Sequence, residues 1–124
     1  MVVLVEDDDG LRAALKRLLR AWGFEARAYA DAEAALADPD LDWPECLVVD
    51  LNLPAMSGLE LVDRLRQRGV LAPAVVISAQ DQARVRDELR CRGIEHFLPK
   101  PFLGSELVRT VDAALAGRRG DIVR

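Results

Sequence analysis

Short apolar runs alternate with amphipathic stretches from one end of the chain to the other. Val2-Val3-Leu4-Val5 is a continuous, largely β-branched run, the pattern of a strand buried on both faces. Leu11, Leu15, Leu18, Leu19 and Trp22 then draw an apolar stripe along one face of a helix, and Gly23 follows as its C-terminal stop. Glu25 to Tyr29 alternates polar and apolar positions, as an edge strand with one wet face does. Asp31 caps a short Ala-rich helix over 32–37. The turn-rich DPDLDWPE segment leads into Cys46-Leu47-Val48-Val49, a third strand that ends on Asp50. Ser57 and Glu60 make an S-x-x-E capping box for a helix whose Leu61, Val62 and Leu65 face the core before Gly69 stops it. Ala74 to Ser78, entered through Pro73, reads as a fourth strand. The helix expected over 81–91 is weaker, with few apolar residues beyond Ala83, Val85 and Leu89 and with Arg84, Arg86, Arg90 and Arg92 along it; Gly93 ends it. Ile94 to Leu98 is a fifth strand, and 104–116 carries Leu107, Val111, Ala114 and Leu115 as a last amphipathic helix.

Five strands alternating with five helices predict an α/β fold, in which parallel strands are joined by right-handed crossovers and helices cover the sheet. The 124 residues suit one domain with a single sizeable core, expected over 1–117, with 118–124 beginning a linker. At 51% hydrophobic and 31% charged residues with a net charge of −4, the composition is that of a soluble globular protein and opposes wrapping of nucleic acid. No apolar run approaches the roughly 20 residues that span a bilayer, and no basic, apolar leader precedes the first strand, so a cytoplasmic location is expected. Cys46 and Cys91 lack metal-site spacing and read as reduced structural thiols. Trp22 and Trp43 read as packing residues, and His96 as a surface residue.

The chemistry lies where these strands end. In an open parallel sheet, ligands bind beyond the carboxyl ends of the strands. The first strand ends in Glu6-Asp7-Asp8-Asp9, the third in Asp50 and the fourth in Ser78, while Lys100-Pro101 follows the fifth. If these strands are neighbours, several acids, a hydroxyl and an ammonium converge on one small pocket. Crowded carboxylates need protonation or a cation, and Mg²⁺ suits an all-oxygen site. Asp50 would be the oxygen nucleophile of phosphoryl transfer, with Ser78 and Lys100 serving the incoming anion. Each piece also has an ordinary reading: Asp8 and Asp9 suit a helix N-terminus, Ser78 a loop hydroxyl and Lys100 a solvated surface. Their joint occurrence at strand ends is what resists that reading.

Taken as a set, VLVEDDDGLR, VVDLNLPAMSGLEL, VVISAQ and FLPKPF resemble the receiver domain of bacterial two-component response regulators, over residues 1 to about 117. The resemblance implies a flavodoxin-like sheet of order 2-1-3-4-5 with helices on both faces. It implies that Asp50 accepts phosphate from a phosphohistidine of a sensor histidine kinase. Mg²⁺ would be bound by Asp7, Asp50 and the Asn52 backbone carbonyl, with Glu6 acting through a metal-bound water. Lys100 would pair with Asp50 and then with the phosphoryl group; Ser78 would move to hydrogen-bond that group, and Phe97 would rotate inward after it. A cis Lys100–Pro101 peptide and tuning of phosphoryl lifetime by Asn52 and Gln80 belong to the same expectation; the arginines of the 81–91 helix read singly as a solvated face and, as a set facing acids on a second copy, suit a phosphorylation-favoured homodimer through the 81–117 face. Two departures are visible: Glu6 stands where aspartate is common, and Phe97 lacks the hydroxyl of a tyrosine switch. The wording most resembles receivers fused to helix-turn-helix transcription factors, with no nucleic acid bound by this domain itself and no turnover of a metabolite. Two rivals share the architecture. A Mg²⁺-dependent aspartyl phosphohydrolase would need an acid where Asn52 stands, and a mononucleotide binder would need a Gly-rich loop where the acids of 6–9 stand. A receiver-like scaffold acting by constant binding would leave the intact acceptor set unused.

Overall fold

The protein is described by a computed structural model covering residues 1–41, 44–79 and 82–123, with Gln82 and 118–123 described by backbone only. Trp43 and Gln80 lie outside the described residues. The elements follow in strict alternation: β1 (Val2–Val5), α1 (Asp9–Ala21), β2 (Ala26–Tyr29), α2 (Ala32–Ala37), β3 (Cys46–Asp50), α3 (Gly58–Gln67), β4 (Ala74–Ser78), α4 (Gln82–Cys91), β5 (His96–Pro99) and α5 (Gly104–Val123). All four strand pairings are parallel, and the order across the sheet is β2-β1-β3-β4-β5, as the resemblance implies.

Every residue of β1, β3 and β4 is buried, whereas the edge strands β2 and β5 are mostly half-buried. Central strands read as unbroken apolar runs because helices cover both faces. On one face Val2, Leu4, Cys46, Val48, Val75 and Ile77 meet Leu15 and Leu19 of α1 and Leu107, Val111 and Ala114 of α5. On the other, Val3, Val5, Leu47, Val49 and Val76 meet α2, α3 and α4. The helices start where side chains accept from orphan N–H groups: Asp8 from Leu11 (2.9 Å), Asp31 from Ala34 (2.7 Å) and Ser57 from Glu60 (3.2 Å). Three of them stop at Gly23, Gly69 and Gly93, whose φ of 91°, 91° and 68° a side chain disfavours.

Several expectations are corrected. Trp22 is 62% exposed: it is the C-cap of α1, and the chain turns away at Gly23 before the stripe meets more sheet. Cys46 is a buried core thiol, but Cys91 is exposed at the end of α4 and is no packing residue. His96 is half-buried on the edge strand β5, in keeping with the surface position expected of it. Pairing of β5 begins at His96, because Ile94 is spent as a buried plug among the residues of α3 and α4. The last helix runs past the expected end at 116 to Val123, since Gly117 weakens a helix without forcing a stop as proline would. The expectation that α4 is the least anchored long helix agrees with its burial: Val85 and Leu89 are buried, and the rest of 83–91 is exposed.

Candidate functional site

Strand register brings the chemistry together. Val5 pairs with Val49, so Glu6 and Asp50 follow as level neighbours; Asp50 pairs with Ile77 and Ser78 with Pro99. Alternation along the strands sends Glu6 and Asp50 to the α1/α5 side and Ser78 with Phe97 to the α4 side. Beyond β5, the Lys100 N–H donates to the Ser78 carbonyl (2.8 Å) and the Lys100–Pro101 peptide is cis. That turn carries the lysine back over the strand ends.

The Lys100 ammonium lies 2.8 Å from Asp50 Oδ2 and 2.9 Å from Glu6 Oε1. Asp50 is only 3% exposed, and its Oδ1 accepts from the Asn52 N–H at 2.9 Å. Glu6 is fully buried, and its Oε2 accepts from the Asp8 N–H at 3.2 Å. Its Oε1 is close to the ammonium but outside hydrogen-bonding geometry, so it is a buried oxygen without a hydrogen-bond partner. Asp7 is exposed and completes a trio: one oxygen from each of Glu6, Asp7 and Asp50 lies within 4.8 Å of the others.

Charge follows from this crowding. Burial first, then the neighbouring Asp50 carboxyl, pushes Glu6 up to about 7. For Asp50 burial acts upward too, but the hydrogen bond from Lys100, the neighbouring Glu6 carboxyl and the Asn52 amide outweigh it and hold the carboxyl below its ordinary value. Burial would lower Lys100, yet its hydrogen bond to Asp50 and the adjacent Glu6 carboxylate leave it raised. Ionisation of Glu6 beside Asp7 and Asp50 would set three carboxylates against one ammonium, a surplus that one divalent cation would complement. All-oxygen donors, a buried Glu6 oxygen that is ion-paired but makes no hydrogen bond, and an exposed acid facing solvent fit a small hard cation.

Ser78 is fully buried at the end of β4. Phe97 is half-buried against the α2–α4 core, opposite Val76, and lines a cleft of about 740 Å³ with Arg86, Leu89 and Ile94. Sequence reasoning missed two supports. Gly58 packs so closely behind Asp50 that a Cβ there would overlap the Asp50 carbonyl oxygen and come within 2.8 Å of Val49 Cγ1. Its N–H also donates to the Leu51 carbonyl at 3.0 Å. The signal was a glycine in the first helical position, where capping explains only Ser57. Arg12 is the other, bonded to the Glu6 carbonyl at 3.1 Å; nothing in the local pattern marked it out.

A doubly wound 2-1-3-4-5 sheet with acids, a hydroxyl and a lysine at its carboxyl edge defines a flavodoxin-like α/β protein with an acid-and-lysine site. The chain belongs to the family of response regulator receiver domains, whose sequence profile matches residues 2–112. Among curated relatives, the transcriptional regulatory protein PrrA of Mycobacterium tuberculosis is 36% identical over 119 residues, 96% of this chain and 51% of the relative. The response regulator MprA of Mycobacterium leprae is 32% identical over 120 residues, 97% of this chain and 53% of the relative. The chain therefore spans about half the length of the curated relatives it matches. Among solved structures, the receiver domain of NtrX from Brucella abortus superposes with a TM-score of 0.84 at 27% identity, covering 94% of this chain and 98% of that one. The chemotaxis protein CheY4 of Vibrio cholerae gives 0.85 at 26% identity, covering 92% and 97%. The domain is thus a signalling module of two-component systems. Among the described residues no helix is long and apolar enough to cross a membrane.

Proposed function

We propose that Asp50 accepts a phosphoryl group from a phosphohistidine of a sensor kinase, and that the domain then changes shape to control a downstream output. The observation that carries this is the Asp50 carboxylate itself, buried at the sheet's carboxyl edge between the Lys100 ammonium (2.8 Å) and the Asn52 N–H (2.9 Å), beside two further acids. An Asp50 oxygen attacks phosphorus as the P–N bond breaks; the bonding pair stays on the imidazole, whose other ring nitrogen carries a proton, so the ring leaves neutral.

Asp7, Asp50 and the Asn52 carbonyl would hold Mg²⁺, with Glu6 reaching it through water, and the ion would neutralise charge on the phosphoryl oxygens. Lys100 exchanges its Asp50 partner for a phosphoryl oxygen. The Ser78 hydroxyl donates to the same group, and Phe97, on the same face one register step away, turns inward behind it. The thinly buried α4 is the element whose packing that movement can shift. Arginines on α4 facing acids on a second copy would make the 81–117 face a dimer contact in the phosphorylated state. The module would act in the cytoplasm as a stoichiometric acceptor, with slow loss of its own phosphate. Residues 118–124 would begin the connection to an output domain; the name and double length of the PrrA relative favour a transcriptional one.

The test incubates the domain with Mg²⁺ and a small phosphodonor. Mass gain of one phosphoryl group in the parent and none in Asp50→Asn is expected. Equal labelling of both proteins would remove Asp50 from this role.

A further inference from the structure

The bend between β1 and α1 carries two of the three acids of the site, and its backbone is held from several sides. The Glu6 N–H donates to the Tyr29 carbonyl of β2 at 3.1 Å, and the Asp8 N–H donates to Glu6 Oε2 at 3.2 Å. Asp8 itself caps α1 through Leu11. The Glu6 carbonyl, just past the end of β1 where the chain turns, accepts from Arg12. One Arg12 nitrogen, Nη1, donates to the Glu6 carbonyl at 3.1 Å while Nη2 donates to Asp9 Oδ1 at 2.6 Å. The arginine side chain is 22% exposed against 88% for Asp9, so the fork lies along the bend rather than waving in solvent.

We propose that Arg12 is a positioning residue for the acid cradle: its two-pronged guanidinium clamps the Glu6–Asp9 bend so that Glu6 and Asp7 present their carboxylates together toward a divalent cation. This rests on the reading that Glu6, Asp7 and Asp50 hold that cation. Arg12 touches neither the acceptor oxygen nor the cation's ligand atoms; it acts through the Glu6 backbone.

Electrostatics alone argue the reverse sign. A guanidinium beside a site for a divalent cation repels that ion, so its removal would tighten binding if charge were its only effect. Loss of a clamp loosens the ligands and weakens binding, as loss of outer-shell partners does at metal sites. Lysine separates the two effects, because it keeps the charge but cannot place two rigid donors on a carbonyl and a carboxylate at once.

Mg²⁺ is titrated calorimetrically into the parent, Arg12→Ala, Arg12→Lys and Asp7→Asn, and amide hydrogen exchange is followed over residues 7–9. The parent is expected to bind and Asp7→Asn to lose binding, which tests the metal reading by itself. Arg12→Ala should bind about ten-fold more weakly, Arg12→Lys should follow it, and both should exchange faster over 7–9 at unchanged global stability. Equal or tighter binding in Arg12→Ala, or a lysine variant matching the parent, would overturn the proposal. Where alanine impairs folding, the lysine variant decides; where the parent fails to bind Mg²⁺, unchanged exchange over 7–9 in the Arg12 variants still rejects the clamp.

Discussion

The Lys100 ammonium is shared between two buried carboxylates on neighbouring strands, 2.8 Å from Asp50 Oδ2 and 2.9 Å from Glu6 Oε1. One cation serves two acids because register makes them level and the β5–α5 turn delivers the lysine above both.

Lys100→Met leaves Glu6 and Asp50 facing each other without a counter-charge. Breaking a buried pair by removing one partner costs about 3 kcal/mol. The loss should be largest at neutral pH and smaller in acid, where Glu6 can take a proton, and Mg²⁺ should restore part of it. Urea unfolding of both proteins at two pH values, with and without Mg²⁺, checks this. A loss independent of pH and metal would mean the lysine acts by packing alone.

The parent's own stability should carry the signature of Glu6. Its folded value of about 7 lies above the ordinary 4.5, so between these the folded state binds more protons than the unfolded one. Stability therefore falls as pH rises through that window, with a slope of at most roughly 1.4 kcal/mol for each pH step of one. Asp50 works oppositely: held low, it adds stability above its ordinary 3.8 that disappears as pH falls through its depressed value. Mg²⁺ favours ionised Glu6, so the metal should raise Tm more near neutrality than near pH 4.5. Scanning calorimetry in chelator and in excess Mg²⁺ measures the difference, and an equal rise in Tm at both pH values would exclude Glu6 from the site.

Gly58→Ala offers a choice of sign. Helix propensity favours alanine by about 1 kcal/mol, whereas the new Cβ would overlap the Asp50 carbonyl oxygen. Overpacking against a central strand costs about 1–3 kcal/mol, and the clash should win. The variant should be less stable and should label more slowly at Asp50, because the strand end that aims the carboxylate must move. A stabilised variant would show that α3 gives way freely.

The C-terminal end of α4 is tied to α3 by a second fork. Arg92 Nε lies 3.2 Å from both carboxylate oxygens of Asp63, and Arg66 donates to the Arg92 carbonyl. The pair is partly exposed, so Asp63→Ala should cost only about 0.5 kcal/mol globally. Its local effect should be clearer: α4 amides near Leu89 should exchange about two-fold faster while those of α3 stay protected. Uniform change across both helices would argue against a local tie.

The order of elements was legible in the chain because periodicity and turn chemistry are local. Apolar runs mark β1, β3 and β4, caps at Asp31 and Ser57 open helices, and Gly23, Gly69 and Gly93 close them. The candidate acids were legible for a related reason, since a charge ending a buried strand is conspicuous wherever that strand goes. Local pattern left open which strands adjoin, and the family resemblance supplied that order. Only tertiary structure decided the contacts: Lys100 meets Asp50 across 50 positions of chain, and Gly58 presses on the carbonyl behind the acceptor. It also turned Trp22 outward and placed Arg12 under Glu6. Such meetings depend on register, crossover and close approach between distant segments, which no spacing within one segment encodes.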